Sequence, residues 1–372
     1  MSPLPVLRRP RPGLLLGVVV TITVPSLLAA LALSDSPLSA GVREDPSGHP
    51  VTAQAGPGMR MLGKSATAGL NASYQGVELI AQRGVAGPDT IVSDVWHKDG
   101  LTVTQTSNTT MVAGGQPYVS YDADNRSAEG VFGVTKTLVA LLGEHYVAVY
   151  RGTGSAVGRP ALIVELRRAD GSLAARFWLD KQTMVPLRRE VYDTSAELIS
   201  QDAFVQVQFG ALRPPPAAMA ATKLPAGSAW AAVTAPAQLL TELNKQGWRL
   251  PGTLPGGLPL YAATRSHAGA AQVVQLGYSD GLSVVSLFVQ RGALAAKPVG
   301  WQQNSLLGHQ VYVAGHSIIW AAGGFVYTMI ADAPPRVVTQ VVAVLPRNAA
   351  PGVIGRIRHG LARLVAIINP FG

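Results

Sequence analysis

The sequence predicts an α+β chain: two units built on antiparallel sheet, with few helices. Three observations point there. Forty Gly and 27 Pro among 372 residues, with only 14% charged, suit short strands and many turns better than a helical bundle. Asp-Gly pairs at 99–100, 170–171 and 280–281 each sit between apolar runs of strand length, the pattern of a tight hairpin. Nowhere do strands alternate with long helical patterns, as a parallel doubly wound sheet requires.

The elements follow in chain order. Arg8, Arg9 and Arg11 precede GLLLGVVVTITVPSLLAALAL at 13–33, a run without a charge that is long enough to span a bilayer. Basic residues before an apolar run leave the N-terminus in the cytoplasm and send the rest outside. Ala30-Leu31-Ala32 and Ala32-Leu33-Ser34 are small-x-small cleavage sites, so 1–34 is either a cleaved signal peptide or a retained anchor. Residues 35–57 have no periodicity and read as a tether. A short helix is predicted over 58–73, with Met61, Leu62, Ala66 and Leu70 on one side. It opens a first domain, 58–210, that is mostly strand from Tyr74 to Phe209. Residues 211–227 are a Pro/Ala-rich linker. A second domain, 228–346, begins with a helix in LLTELNKQGW that closes near Gly247 and continues as strands from Leu258 to Val344. Residues 347–372 carry a final basic amphipathic helix, at 353–368.

The hairpins can be worked out in register. A type I′ turn at Asp170-Gly171 opposes Leu166 to Ala175, Val164 to Phe177 and Leu162 to Leu179, and that face is assigned to the core. The other face pairs Glu165 with Arg176 and Ile163 with Trp178. Around Asp99-Gly100, Trp96 opposes Val103. Around Asp280-Gly281, Leu276 opposes Val285 and Val274 opposes Leu287.

The search for chemistry returns little. With no cysteine there is no disulfide, thiolate metal site or Cys nucleophile. The seven histidines form neither H-x-H nor H-E-x-x-H, so no metal is expected. GMRMLGKS at 58–65 fits the phosphate-loop pattern, but a tether precedes it where a buried strand is needed, and Lys64 reads as a solvated helix residue. GHSII at 315–319 lacks the second Gly of a nucleophile elbow, and GTGSAVG at 152–158 misses the dinucleotide spacing and reads as a loop. Asn71, Asn108 and Asn125 begin glycosylation sequons, common by chance. No paired carboxylates are suggested. The expectation is a non-enzyme without cofactor. The net charge of +9 would suggest nucleic acid in a cytosolic protein, but export removes that partner.

Two surfaces remain. Ile354, Ile357, Leu361, Leu364, Val365 and Ile368 line one side of the final helix, and Arg356, Arg358 and Arg363 are its membrane-surface contacts. In the second domain Trp248, Tyr278, Trp320 and Tyr327 are candidate partner-binding anchors, since aromatics often dominate interfaces. For any one of them the competing reading is core.

The residues then become familiar. SYQGVELI at 73–80, VWHKDGLTVTQT at 95–106 and RPALIVELRRADGSLAARFWLDKQTMVPLRREVYD at 159–193 resemble the MucB/RseB family of exported sigma-factor regulators. GYSDGLSVVSLFVQ at 277–290 and HQVYVAGHSIIWAAGGFVYTMIAD at 309–332 resemble its second domain. The resemblance implies a first domain like the LolA lipoprotein carriers, an antiparallel half-barrel with helices, followed by a smaller α+β domain with an antiparallel sheet. It implies a partner, the outer segment of a membrane anti-sigma factor, shielded from proteolysis and released by lipid-like signals. In that family no residue is catalytic. The basic tail and the retained anchor depart from what every member shares. The rival readings are a carrier of lipids or lipoproteins, for which one domain suffices, and a hydrolase, for which no constellation exists.

Overall fold

The structure, a computed structural model, describes residues 56–346 apart from 86, 99–100, 107–109, 114–135, 211–212, 214, 216–229, 233–234, 269–270, 295–296, 299 and 307–308. The tether, the apolar N-terminal run, most of the linker and the tail helix at 353–368 lie outside the described residues.

The chain is α+β, as its sequence predicts. The first sheet contains β1 (Tyr74–Gly84), β2 (Gly87–Lys98), β3 (Leu101–Gln105), β4 (Thr110–Ala113), β5 (Val147–Ala156), β6 (Arg159–Arg167), β7 (Leu173–Asp180), β8 (Pro186–Tyr192) and β9 (Leu198–Phe209). Their spatial order is β4-β3-β2-β1-β9-β8-β7-β6-β5, antiparallel throughout, so β9 closes the sheet by pairing with β1. Two helices pack on it, α1 (Pro57–Asn71) and α2 (Lys136–His145). Pro57 starts α1 cleanly, since proline's fixed φ suits the first helical position. Its buried face is Met59, Leu62, Ala66 and Gly69 rather than a row ending at Leu70, which is half-buried. Helix α2 had no counterpart in the sequence reading.

The second sheet follows the linker. It contains β10 (Trp230–Ala232), β12 (Leu258–Ala268), β13 (Ala271–Ser279), β14 (Val284–Arg291), β15 (Gln302–Leu306), β16 (His309–Ala314), β17 (Ser317–Ala322) and β18 (Phe325–Asp332), in the order β10-β12-β13-β14-β18-β17-β16-β15. A two-residue β11 (Thr253–Leu254) pairs with β12. Helices α3 (Pro236–Lys245) and α4 (Pro335–Val344) flank the strands. Gly247, at φ +85°, ends the turn after α3 where a helix-closing glycine was expected. The last strand stops at Asp332, not at Val344. Pro334 and Pro335 cannot extend the ladder, Pro335 opens a helix instead, and Val338, Val341 and Val342 are buried.

The hairpin at 170–171 has the expected register: Leu166 opposes Ala175, Val164 opposes Phe177 and Leu162 opposes Leu179. Its turn is of a different kind. Of Asp170 and Gly171 only the glycine has positive φ, at +83°. Gly171 N donates to Arg168 O, Arg168 N donates to Ser172 O, and the register slips between Leu166 and Arg167. A longer turn ending in a left-handed glycine and a bulge replaces the type I′ pair. A two-residue turn with both φ positive does occur at Val157-Gly158, so GTGSAVG is the end of β5 plus a turn rather than a loop.

At 280–281 the register is two residues off. Tyr278 opposes Val285 and Leu276 opposes Leu287, because the connection spans four residues, Asp280 to Ser283. Asp280 Oδ1 accepts from the backbone N–H groups of Leu282 and Ser283, and Ser279 Oγ donates to Ser283 O. These bonds stabilise a wider loop than the dipeptide alone demands. A two-residue shift keeps the same residues together on each face, since the side-chain period is two. Around Asp99-Gly100, Trp96 opposes Val103 as expected, while the two turn residues lie outside the described residues.

The core is divided. One cluster sits between α1, α2 and the first sheet, with Leu62, Val164, Leu166 and Phe177. A neighbouring cluster on that sheet contains Tyr74, Ile163, Trp178 and Phe204. The largest belongs to the second sheet and its two helices. The sheets dock. Leu282, from the second sheet's turn, is part of the core under α1 and α2, and Val85, from the first, packs on the second sheet's core. The Arg189 guanidinium lies between Asp202 of its own sheet, at 2.8 Å, and Asp332 of the other, at 3.0 Å. Burial works against this cation, but the two carboxylates outweigh it and raise the Arg189 pKa further.

Candidate binding surfaces

The first surface is a groove on the first sheet. Strands β1, β2, β3 and β9 place Gln75, Val77, Asp94, Trp96, Val103, Gln105, Gln206 and Gln208 along an open depression of about 310 Å³, rimmed by Arg213 and Pro215. These positions share a face because alternate residues of a strand point the same way. Gln75 Nε2 donates to Gln208 Oε1 at 3.1 Å across the β1–β9 pair. The lining is amides, one carboxylate, one guanidinium and an indole. Such a set can hydrogen-bond and stack, and Asp94 is its one carboxylate.

The second surface is an ion-pair lattice on β5 to β8. Glu165, nearly fully buried, receives Arg176 and Arg167, each at 2.7 Å, and Arg151 at 3.3 Å. Burial alone would raise its pKa, but the arginine hydrogen bonds outweigh burial and hold it below the usual carboxylate range. Arg188 pairs with Glu190, and Tyr192 Oη donates to Glu190 at 2.5 Å. Trp178 lies under two of these cations, with Arg188 4.8 Å and Arg176 5.7 Å from its ring. Every carboxylate here is matched by arginine, so the arrangement orders the sheet face rather than poising an acid or base.

The four aromatics singled out in the sequence are inside the second sheet's core. Trp248, Tyr278 and Tyr327 are 1%, 0% and 0% exposed, and Trp320 is 4%. Trp320 stacks on Tyr327 at 5.1 Å, and Trp248 meets Phe325 at 5.0 Å. Tyr278 Oη donates to Pro251 O at 2.8 Å. A partner could touch them only by opening this core. Arg356, Arg358 and Arg363 lie outside the described residues.

The motifs read in the sequence fall into place. GMRMLGKS is contained in α1, so its N–H groups serve a helix instead of cradling phosphate. Ser317 of GHSII is the first residue of β17, paired with Ala314. His97 is a core histidine: Nδ1 is 2.8 Å from Thr102 Oγ1, Nε2 is 3.1 Å from Leu70 O, and its ring stacks on Tyr74. Among the described residues no three His, Cys, Asp or Glu gather as a metal would need, and no helix is long and apolar enough to cross a membrane. The groove was invisible in sequence, because its glutamines come from three strands and no spacing unites them.

Comparison with known proteins gives one domain match and several similar structures. The model of the MucB/RseB N-terminal domain matches residues 102–227. None of the curated proteins matches the chain in sequence. Among solved structures, a crystal structure of MucB is 21% identical with a TM-score of 0.47, covering 78% of this chain and 98% of its own. A MucB structure in complex with MucA(peri) is 19% identical with a TM-score of 0.41, covering 79% and 100%. The Pseudomonas aeruginosa MucA/MucB complex is 21% identical with a TM-score of 0.42, again covering 79% and 100%.

Proposed function

Starting from the MucB/RseB N-terminal domain that residues 102–227 carry, we propose that this chain is a non-enzymatic regulator on the outer face of the cytoplasmic membrane. It binds the outer segment of a membrane anti-sigma factor and modulates its proteolysis. The domain match is the observation that carries this reading. One surface suits it in chemistry: an amide-lined groove matches the backbone of an extended segment. The two units divide at residues 211–227, and the second unit takes part in partner capture. A lipid-like ligand is proposed as the releasing signal. The segment 1–34 and the tail helix, through Arg356, Arg358 and Arg363, are proposed to hold the protein at the membrane surface.

The deciding experiment is capture from membranes with the chain lacking residues 1–40, followed by mass spectrometry of bound proteins and lipids. Recovery of a single-span membrane protein that this chain protects from a site-specific protease is the expected result. Recovery of lipid or lipoprotein without such a protein would favour the carrier reading.

A further inference from the structure

We propose that the Asp280–Ser283 turn is an internal latch through which the second sheet holds α2 on the first. The inference stands apart from what the chain binds, because it rests only on contacts within the molecule. Helix α2 is short; its residues Leu138, Val139 and Leu142 are buried, and Val139 and Leu142 belong to the helix-side core of the first sheet. The turn between β13 and β14 rests against it. A Cβ on Gly281 would lie 2.6 Å from Leu138 O and 2.5 Å from Leu142 N, so the backbone of the turn rests directly on the backbone of α2. Gly281 also has φ +90°, a conformation that side chains resist. Glycine is thus required twice, once for the turn and once for the approach.

Two neighbouring residues complete the latch. Leu282 enters the core that α2 helps to close and is 4% exposed. Tyr146, just past the end of α2, donates its hydroxyl to Asp280 Oδ2 at 2.5 Å. Burial first, and then the Asp280 carboxylate, push the Tyr146 pKa far above the ordinary phenol range, so it remains a donor. Asp280 spends its other oxygen on its own loop, accepting from Leu282 N and Ser283 N at 2.9 and 2.7 Å. One carboxylate therefore both shapes the turn and fastens it to α2.

Other inter-sheet contacts, Arg189 to Asp332 and the seat of Val85, fasten strand ends and a strand connection. The turn, by contrast, sits on a helix of the first sheet. Coupling through it is reciprocal: whatever lifts α2 from the first sheet pulls the latch, and whatever shifts β13 and β14 loosens α2. Motion at one unit is thereby reported to the other without an intervening ligand contact.

Hydrogen exchange of the full chain tests this. Gly281→Ala inserts a methyl into the contact. The expected result is exchange at least ten-fold faster in α2, with β6 and β7 within two-fold of the parent. Unchanged exchange in α2, or equal acceleration of α2 and β6–β7, overturns the latch. If Gly281→Ala does not fold, Tyr146→Phe removes only the hydroxyl bridge. It should accelerate α2 by at least three-fold with β6 and β7 unmoved, and no change in α2 overturns the proposal.

Discussion

Phe177 and Asp180 lie three residues apart on β7 and show two ways in which a residue holds this sheet. Phe177 is 2% exposed in the core beneath α1 and α2, opposite Val164. Truncation to alanine loses the transfer energy and leaves a cavity, so Phe177→Ala is expected to cost about 3–5 kcal/mol in urea unfolding. A loss below about 1 kcal/mol would mean that this face is not the core. Asp180 is a buried carboxylate bound by Arg159 Nε at 2.8 Å and by Thr183 N and Oγ1 at 2.9 and 2.8 Å. Burial raises its pKa, but these bonds prevail and hold it below the ordinary carboxylate range. A depressed folded pKa contributes stability that is present above the unfolded value, about 3.9, and is lost as pH falls through the folded one. Unfolding free energy should therefore drop steeply below about pH 4. Asp180→Asn should lower stability at neutral pH and flatten that acid slope, as urea titrations at several pH values would show.

At the scale of elements, α1 allows a direct contest between two readings of GMRMLGKS. A phosphate loop would depend on Lys64 and tolerate changes at its first glycine poorly only through the ligand. In the helix found here Lys64 is exposed, whereas a Cβ on Gly58 would lie 2.6 Å from Ala148 O of β5. Gly58→Ala should destabilise the fold by about 1–3 kcal/mol through overpacking, and Lys64→Ala should change neither stability nor function. Magnesium-dependent ATP binding abolished by Lys64→Ala would reverse this. The same scale shows what the sequence could carry. The register around Asp170-Gly171 was legible because alternation has period two and both faces are strongly marked. The turn itself was not, since one dipeptide serves several turn types. At Asp280-Gly281 the same dipeptide closes a four-residue loop that is seated on α2, a tertiary contact that local pattern does not encode. Helix α2 itself is ten residues, short enough for its apolar positions to pass for strand. The aromatics of the second sheet lie in its core for a related reason: composition tells that Trp248 and Tyr327 are large and apolar, and only their burial in the folded sheet tells which side they face.

For the whole molecule, the docking of the two sheets means that neither is a free-standing module with an ordinary surface. Leu282 completes the first sheet's core, Tyr146 donates to Asp280, and Arg189 is shared by Asp202 and Asp332. A fragment ending at residue 227 keeps every strand of the first sheet, both helices and the Arg189–Asp202 pair, so it should fold. It would nevertheless open the seat of Leu282, whose burial is worth about 1.5–3 kcal/mol, and leave the Tyr146 hydroxyl to water. For a unit of this size each kcal/mol moves the midpoint by about 2–4 °C. The fragment should therefore melt roughly 5–10 °C below the full chain, as followed by the near-ultraviolet signal of Trp96 and Trp178. Its α2 amides should exchange faster than those of β6 and β7. A fragment as stable as the full chain would mean that the sheets touch without supporting each other, and the second would then be free to swing away at no cost to the first.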